Sequence, residues 1–436
     1  MRSFLKNQRG VALMLVLSAI TILTTMIVEF AYNTNVNYNL ALNERDRLKA
    51  YYLAKSGYSF MLLELKFDKV FRKIVETQNL SQYLGDTAQL PLCQQFPLST
   101  GMIRAVFTGG GLAGLMSGEG GESDGAEGDE ELGEKVESMQ KRVGAFAEKT
   151  AEEFLEFEGD FDGECIDEGT KFNLNGFAGL SKKPAAEGKQ SPFDEYKKYF
   201  YRFLSKPQYE LLFEKSELTE TDIIDSIGDW IDSDGDINQF DGRRGGAERS
   251  TYDRLDLPYS IRNGRLLTIL EAYLIDGVID TWFSPLQDLF TVYGDGKVNV
   301  CIASRDLVES LIFRYIDSNP DFPPVRMEDQ EEVDRLYNAV MDGCSQGGSG
   351  DQLAGNIESA LNTAIGIELP PEEEGGQAEQ TQTVAVKFST FITSETRYFT
   401  LKLAGQYMDT TVRIQAVLDI KEDNPKKWKV LYWHIY

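Results

Sequence analysis

The sequence predicts an α+β fold: a long N-terminal helix packed on an antiparallel sheet, with a large all-helical domain inserted into the sheet domain. Three patterns predict it. Apolar residues fill positions 11–32 and then recur at helical spacing to about residue 65. Apolar and polar residues alternate over 384–436, as in half-buried strands. Between them, residues 185–370 carry helical patterns of about 10 to 15 residues each.

The N-terminal helix is predicted to begin in a membrane. Residues 11–32 contain one charge, Glu29, and at about 1.5 Å per residue they span a hydrocarbon core of about 30 Å. Arg2, Lys6 and Arg9 precede them, and positive charge holds that end in the cytoplasm. A secretory signal would have a shorter apolar run, followed by a small-residue cleavage site. We therefore expect a single-pass membrane protein whose remaining chain is exported.

A short basic leader ends at Gly10, and the apolar helix starts directly after it at Val11. This arrangement resembles the class III signal of type IV pilins and type II secretion pseudopilins. The resemblance implies that a prepilin peptidase cuts after Gly10 and methylates Val11. Most members carry glutamate at the fifth mature position, which is Leu15 here. Its absence is typical of the minor pseudopilin K. An uncleaved anchor is the alternative.

Residues 109–135 are rich in glycine and acidic residues, and they have too few apolar side chains to order themselves. We predict a flexible loop there.

The predicted organisation of the chain is a leader (1–10), the transmembrane and amphipathic halves of the N-terminal helix (11–32 and 33–66), the first part of a pilin-like α/β domain (67–184), an inserted helical domain (185–370), a linker (371–383) and the second part of the pilin-like sheet (384–436).

Several motifs are similar to those of the general secretion pathway protein K family: DEGTKFNLN, IGDWIDSDGD, GGAERSTYDRLDLPYSIRNGRL, LEAYLIDG, VNVCIAS and the closing VLYWHIY. The resemblance implies a non-enzymatic minor pseudopilin at the tip of the type II secretion pseudopilus. It also implies the I and J minor pseudopilins as partners and a role in export across the outer membrane. A minor pilin of a type IV pilus or competence system, with the same kind of leader, is the alternative.

The net charge of the chain is -26, which disfavours nucleic acid as a partner and favours divalent cations. Acidic residues alternate in DWIDSDGDINQFDGRRGGAE, and Ca²⁺ prefers six to eight oxygen ligands. The stretch is not an EF-hand, because Ile237 and Arg243 occupy the positions for glycine and glutamate. A solvated acidic loop is the alternative. Resemblance to the K family implies structural calcium, with the ligands Asp232, Asp234, Asp236, Asp241 and Glu248.

Four cysteines and one histidine make the usual zinc sites improbable. Cys93 and Cys165 fall in the predicted α/β domain, and Cys301 and Cys344 fall in the insert. In an exported protein this even number predicts disulfides. The sequence allows three connectivities, of which we favour pairing within each domain.

Residues 343–347 have the spacing G-x-S-x-G of a hydrolase nucleophile elbow. The elbow needs a strand before the serine and a helix after it, whereas a helical pattern precedes Ser345. Its base would have to be His434, which lies in a predicted strand. We therefore expect no enzyme activity.

Overall fold

A computed structural model describes residues 8–77, 90–103, 157–184, 190–216, 218–240, 242–323, 325–326, 328–348, 350–367, 386–393 and 397–436. The predicted loop at 109–135, the linker at 371–383 and residues 1–7 of the leader lie outside the described residues.

The helices α1 to α10 are Gln8–Thr77, Leu92–Gln95, Pro192–Leu204, Glu210–Ser216, Glu220–Ile231, Arg249–Tyr252, Asp280–Leu286, Arg305–Asp317, Gln330–Ser345 and Gly350–Ile365. The strands β1 to β9 are Leu98–Ser99, Asp160–Asp167, Phe172–Asn173, Asp236–Asn238, Arg244–Ala247, Phe290–Thr291, Tyr398–Tyr407, Thr410–Asp419 and Lys429–Ile435.

Helix α1 is continuous over 70 residues and runs past the predicted end at residue 66. Its large apolar side chains between Val11 and Tyr32 are at least 54% exposed. Within the described part of the chain, α1 is the helix long and apolar enough to cross a membrane. Farther along, one face of α1 is buried, with Ala50, Ala54, Met61 and Leu65 at its centre. The helix therefore has an exposed apolar half and a second half that packs on a domain.

The buried half of α1 packs on a five-stranded antiparallel sheet with the strand order β1-β2-β7-β8-β9. Residues alternate between buried and exposed along β2, as strands with one covered face require. The apolar side chains of β7 and β8 meet α1, and Phe399, Leu401, Leu403, Ile414 and Leu418 form this core with Ala54, Met61 and Leu65. The predicted fold class is confirmed.

The inserted domain is mainly helical and has its own large core. Helix α3 illustrates why these helices form. The Ser191 side chain caps its N-terminus by accepting a hydrogen bond from the backbone N–H of Asp194. Its apolar face, with Phe193, Phe200 and Phe203, is buried. The domain also contains two short ladders, the parallel pair β3–β6 and the hairpin β4–β5.

The core of the insert extends beyond the predicted range of 185–370. Phe172 and Leu174 precede this range and Phe388 follows it, yet all three are buried in this core. Residues Phe388–Thr390 form a short 3-10 helix instead of the predicted strand, and the last part of the sheet begins at Tyr398. Apolar residues at alternate positions up to Phe388 predicted a strand. Burial of Phe388 in the core of the insert determines the observed structure instead.

A buried carboxylate joins the sheet to the insert. Glu168 is 3% exposed and accepts hydrogen bonds from the hydroxyls of Thr291 at 2.5 Å and Thr400 at 2.7 Å. It also forms an ion pair with Lys171 at 2.6 Å. Thr400 belongs to β7 and Thr291 to β6, so a single side chain links the two cores.

The four cysteines form two disulfides, Cys93–Cys165 and Cys301–Cys344. The first joins α2 to β2 beneath α1, and the second joins the segment before α8 to the end of α9. Each bridge therefore lies within one of the two cores.

Replacing Cys301 and Cys344 together by alanine is expected to lower the free energy of unfolding of the insert. The bridge closes a loop of 43 residues, and the loss of that constraint on the unfolded chain is worth about 4 kcal/mol. Urea unfolding monitored by tryptophan fluorescence checks this value. The Cys93/Cys165 double variant is the matched control, and it should destabilise the sheet domain instead.

Candidate metal centre

The candidate site is built where α5 ends. Thr219 caps the start of this helix, and Ile223, Ile224 and Ile227 bury its apolar face. Asp229 lies in the last turn, and Asp232 follows directly as the C-terminal cap. Positions three apart share one side of a helix, so the two carboxylates project together.

The hairpin β4–β5 brings a third carboxylate to the same place. Asp236 pairs with Ala247 in this hairpin, so the next residue, Glu248, returns beside the end of α5. The backbone N–H of Glu248 donates to the carbonyl of Gly235 at 3.3 Å and fixes the return. Residues far apart in sequence are thus held together by a short ladder.

Asp229, Asp232 and Glu248 each offer one carboxylate oxygen, and these three oxygens lie within 4.8 Å of one another. Two ligands of the same calcium ion are separated by at most about 5 Å, twice the Ca–O distance. The three residues are 8%, 5% and 4% exposed. Within the described chain, this is the group whose spacing permits a shared cation.

Burial and mutual repulsion raise the pKa values of this group. Burial is the main cause of raising the pKa of Glu248 to about 8, and the charges of Asp229 and Asp232 add to it. Burial likewise raises the pKa of Asp229 to about 7, against the opposing effect of a hydrogen bond from Asn238. Burial raises the pKa of Asp232 as well. Ionising all three together is therefore costly without a nearby cation.

The carboxylate of Glu248 is the part of the cluster that best fits a bound cation. Both of its oxygens are buried, and neither has a hydrogen-bond partner among the described residues. Asn238, by contrast, donates to Asp229 at 3.1 Å and to Asp232 at 3.4 Å. A buried acceptor without a donor is expensive. An all-oxygen set without cysteine or histidine fits a hard cation such as Ca²⁺.

Lys182 supplies positive charge beside this cluster. Its ammonium nitrogen lies 2.5 Å from an oxygen of Asp232 and 2.6 Å from an oxygen of Asp234. The Lys182 side chain is 13% exposed and rests over the ring of Phe193. The lysine reaches Asp232 but has no ion pair with Glu248. Part of the negative charge is therefore balanced by the chain itself.

A cavity of about 480 Å³ opens beside the cluster. Asp229 and Glu248 line it, together with Trp230, Tyr252 and Asp276. A metal site needs an entry path, and this cavity provides one.

Not all of the predicted ligands belong to the cluster. Asp232 and Glu248 are in it, whereas Asp234 pairs with Lys182 at the surface and Asp236 is exposed on β4. Asp241 lies outside the described residues. Asp229 was not among the predicted ligands. The prediction rested on the alternating carboxylates of the loop and did not include the last turn of the helix. The i, i+3 spacing of Asp229 and Asp232 was the signal that could have found it.

The hydrolase alternative fails on geometry. Ser345 is the last residue of α9, and its hydroxyl donates to the carbonyl of Asp342 at 2.8 Å. The elbow requires a strand before the serine, but a helix is present, and Cys344 is held in a disulfide. His434 lies on the edge strand β9, where its ring contacts those of Tyr432 and Tyr436.

Comparison with protein families gives a match over residues 170–295 to the model described as Type II secretion system (T2SS), protein K. These residues are similar to a type II secretion protein K domain. The predicted resemblance to this family is thereby confirmed. The matched residues include the whole candidate metal centre. The match begins near Phe172, where the core of the insert also begins.

Among solved structures, the chain is similar to one from the GspK-GspI-GspJ complex of the enterotoxigenic Escherichia coli Type 2 Secretion System. The identity is 14% and the TM-score 0.38, with 64% of this chain and 80% of that chain covered. No curated protein sequence matches the chain.

Proposed function

We propose that this protein is a minor pseudopilin at the tip of the type II secretion pseudopilus. There it acts in protein export across the outer membrane by assembling with the I and J minor pseudopilins. The observation that supports this most strongly is α1, whose exposed apolar half continues without a break into a half packed on the sheet. The match of residues 170–295 to type II secretion protein K is the second support.

The proposed mechanism is helix packing. The apolar half of α1 leaves the bilayer and lies beside the corresponding helices of partner subunits, which replace lipid as its apolar surroundings. The insert is too bulky to allow another subunit above it. An open helical polymer capped in this way grows at one end only.

Affinity purification of the tagged full-length protein from its host tests this proposal. We expect the I and J minor pseudopilins to be recovered with it, and deletion of its gene should abolish secretion. Recovery of type IV pilus or competence subunits in their place would support the alternative assignment to a minor pilin.

The same proposal places the protein in the inner membrane before assembly, with its C-terminal domain in the periplasm. A prepilin peptidase would cut after Gly10 and methylate Val11, both of which lie in α1. The proposed role is non-enzymatic, and the helical context of Ser345 supports this. Nucleic acid is not proposed as a partner, since the chain carries a net charge of -26.

We also propose that the protein binds structural Ca²⁺ through Asp229, Asp232 and Glu248, with Asp234, Asp236 and Asp241 as further ligands from the same loop. When bound, the ion neutralises the carboxylates and fixes the hairpin between α5 and α6. The unpartnered oxygens of Glu248 support this proposal. Asn238 would keep the two aspartates oriented by its hydrogen bonds.

Lys182→Met is expected to tighten calcium binding by about fivefold, because removing a cation near the site removes repulsion of roughly 1 kcal/mol. Isothermal titration calorimetry at neutral pH measures the change. Lys183→Met is the matched control, since Lys183 is exposed and has no ion pair with the cluster. Weaker binding in Lys182→Met would mean that the lysine organises the site and does not compete with calcium.

A further inference from the structure

Within the described chain, the last strand of the sheet has one side without a strand partner. Strand β9 pairs with β8 and with no other strand among the described residues. At the opposite edge, β1 has only two residues, whereas β9 has seven. Edge strands of this length expose backbone donors and acceptors that can pair with another chain, and proteins normally protect them.

The backbone register identifies the groups that face outward. Tyr436 exchanges both backbone hydrogen bonds with Arg413 of β8, at 2.9 and 3.4 Å. Backbone groups of an antiparallel strand point alternately to its two sides. The N–H and C=O groups of Trp433 and Ile435 therefore point away from β8, toward the free side.

The side chains of β9 are unusually apolar for an unpaired edge. Leu431, Trp433 and Ile435 are 42%, 37% and 41% exposed, and Val430 is 49% exposed. Neither face of the strand is bare. Trp433 packs edge-on against Tyr58 of α1 at 5.0 Å, and on the other face Tyr432 lines a small cavity with Ile269 of the insert. Among the described residues, what remains open is the edge itself, between an aromatic contact with α1 on one face and the mixed polar and apolar lining of the small cavity on the other.

Exposed lysines lie at the beginning of this edge. Lys421, Lys426 and Lys427 are exposed and form no ion pair within the part of the chain that the structure describes. Glu422 and Asp423 lie among these lysines, but Asp423 is paired with Lys69 and Lys73, so this surface is locally positive in a chain with a net charge of -26. Such a surface attracts an acidic partner, whereas two copies of this chain repel each other overall.

The position along α1 excludes lipid as the occupant. Tyr58, which contacts Trp433, lies 26 residues beyond Tyr32, and a helix rises about 1.5 Å per residue. The edge is therefore about 40 Å above the predicted membrane segment. Only a soluble domain of another protein reaches it.

We propose that the free edge of β9 receives an extended segment of a companion minor pseudopilin, which adds a strand to the sheet. The segment would carry apolar residues at alternate positions and carboxylates opposite Lys421, Lys426 and Lys427. This inference rests on the proposed assembly with the I and J subunits. Main-chain hydrogen bonds would give affinity, and the exposed apolar side chains of β9 and the lysines would give selectivity.

Hydrogen exchange of the full-length protein, alone and in complex with the I and J subunits, tests the inference. We expect the amides of Trp433 and Ile435 to exchange at least tenfold more slowly in the complex. If the complex forms and these amides exchange as in the free protein, the inference is overturned while the proposed function stands. If no complex forms, both are overturned. Protection in the protein alone would identify a second copy as the occupant, which also overturns it.

Two variants of Ile435 distinguish the contribution of its backbone N–H to association from that of its side chain. Ile435→Pro removes an outward N–H without removing a bond to β8, and proline is tolerated at such edge positions. It should weaken association by about tenfold, whereas Ile435→Ala, which keeps the N–H, should have a smaller effect. Equal effects would contradict strand addition. The exchange measurement on the unmodified protein decides the matter if the proline variant does not fold.

Discussion

Calcium is expected to raise the thermal midpoint of the purified protein by about 5 to 10 °C at pH 8. A free calcium concentration about a hundredfold above the dissociation constant stabilises the folded state by about 2.7 kcal/mol. In a domain of roughly 200 residues, such as the insert, this corresponds to the expected shift. Glu248→Gln should abolish most of the response, because it removes the buried charge that lacks a partner. Differential scanning calorimetry with calcium and with a chelator measures both effects.

The response to calcium should depend on pH. Folding raises the pKa of Glu248 from 4.5 to about 8, so between these values the folded protein holds a proton that the unfolded chain releases. The calcium-free protein should therefore lose stability as the pH rises from about 4.5 to 8. Asp229, with its pKa raised to about 7, contributes in the same direction. Calcium needs the ionised carboxylates, so its stabilising effect should grow over this pH range.

Asp236→Asn compares an exposed further ligand of the proposed set with Glu248, which belongs to the buried cluster. Both substitutions remove one negative charge from the same hairpin, but Asp236 is exposed and lies outside the cluster. We expect the Asp236 variant to keep most of the calcium response. If it loses the response and Glu248→Gln keeps it, the alternating loop residues bind the ion and the cluster seen here does not. An unmodified protein that shows no calcium-dependent shift at pH 8 would contradict the proposal altogether.

Gly405→Val is expected to destabilise the sheet domain by about 3 kcal/mol and to abolish secretion. A Cβ atom at residue 405 would lie 2.2 Å from the carbonyl oxygen of Ala50 and 2.3 Å from the backbone nitrogen of Ala54. Both contacts involve backbone atoms of α1, so the whole helix would have to move off the sheet. Chemical unfolding and complementation of a deletion strain measure the two effects.

Gly355→Ala is the matched control for the Gly405 variant. Gly355 lies inside α10, and a Cβ atom there meets nothing within 4 Å. Alanine should be neutral or stabilise that helix by up to about 1 kcal/mol. If Gly405→Val unfolds like the unmodified protein, the helix is not seated on β7 as described.

Much of the fold could be predicted because two strong periodicities dominate the chain. The alternation of Leu401 and Leu403, and of Val412 and Ile414, predicted strands of a half-buried sheet, and these residues lie in β7 and β8. The apolar run from Val11 predicted the long helix. Neither periodicity determines which strands pair with each other. The pairing of β2 with β7, more than 200 residues away in sequence, could therefore not be predicted.

The candidate site was only partly predictable for a related reason. Local patterns indicated the acidic loop but not which carboxylates become buried. Glu248 joins Asp232 because of the β4–β5 hairpin, and β5 contains Gly245 and Gly246 at positive φ with no alternation to reveal a strand. The same limit explains Phe388, whose place in the insert core depends on tertiary packing.

Mass spectrometry of the N-terminus of the protein isolated from its host tests the central claim most directly. The account predicts a chain that starts at Val11 and carries one methyl group on its α-amine, because a pseudopilin helix must be released from its leader before it can join others. A chain that still begins at Met1 would contradict the account and leave a membrane-anchored protein that does not assemble through α1.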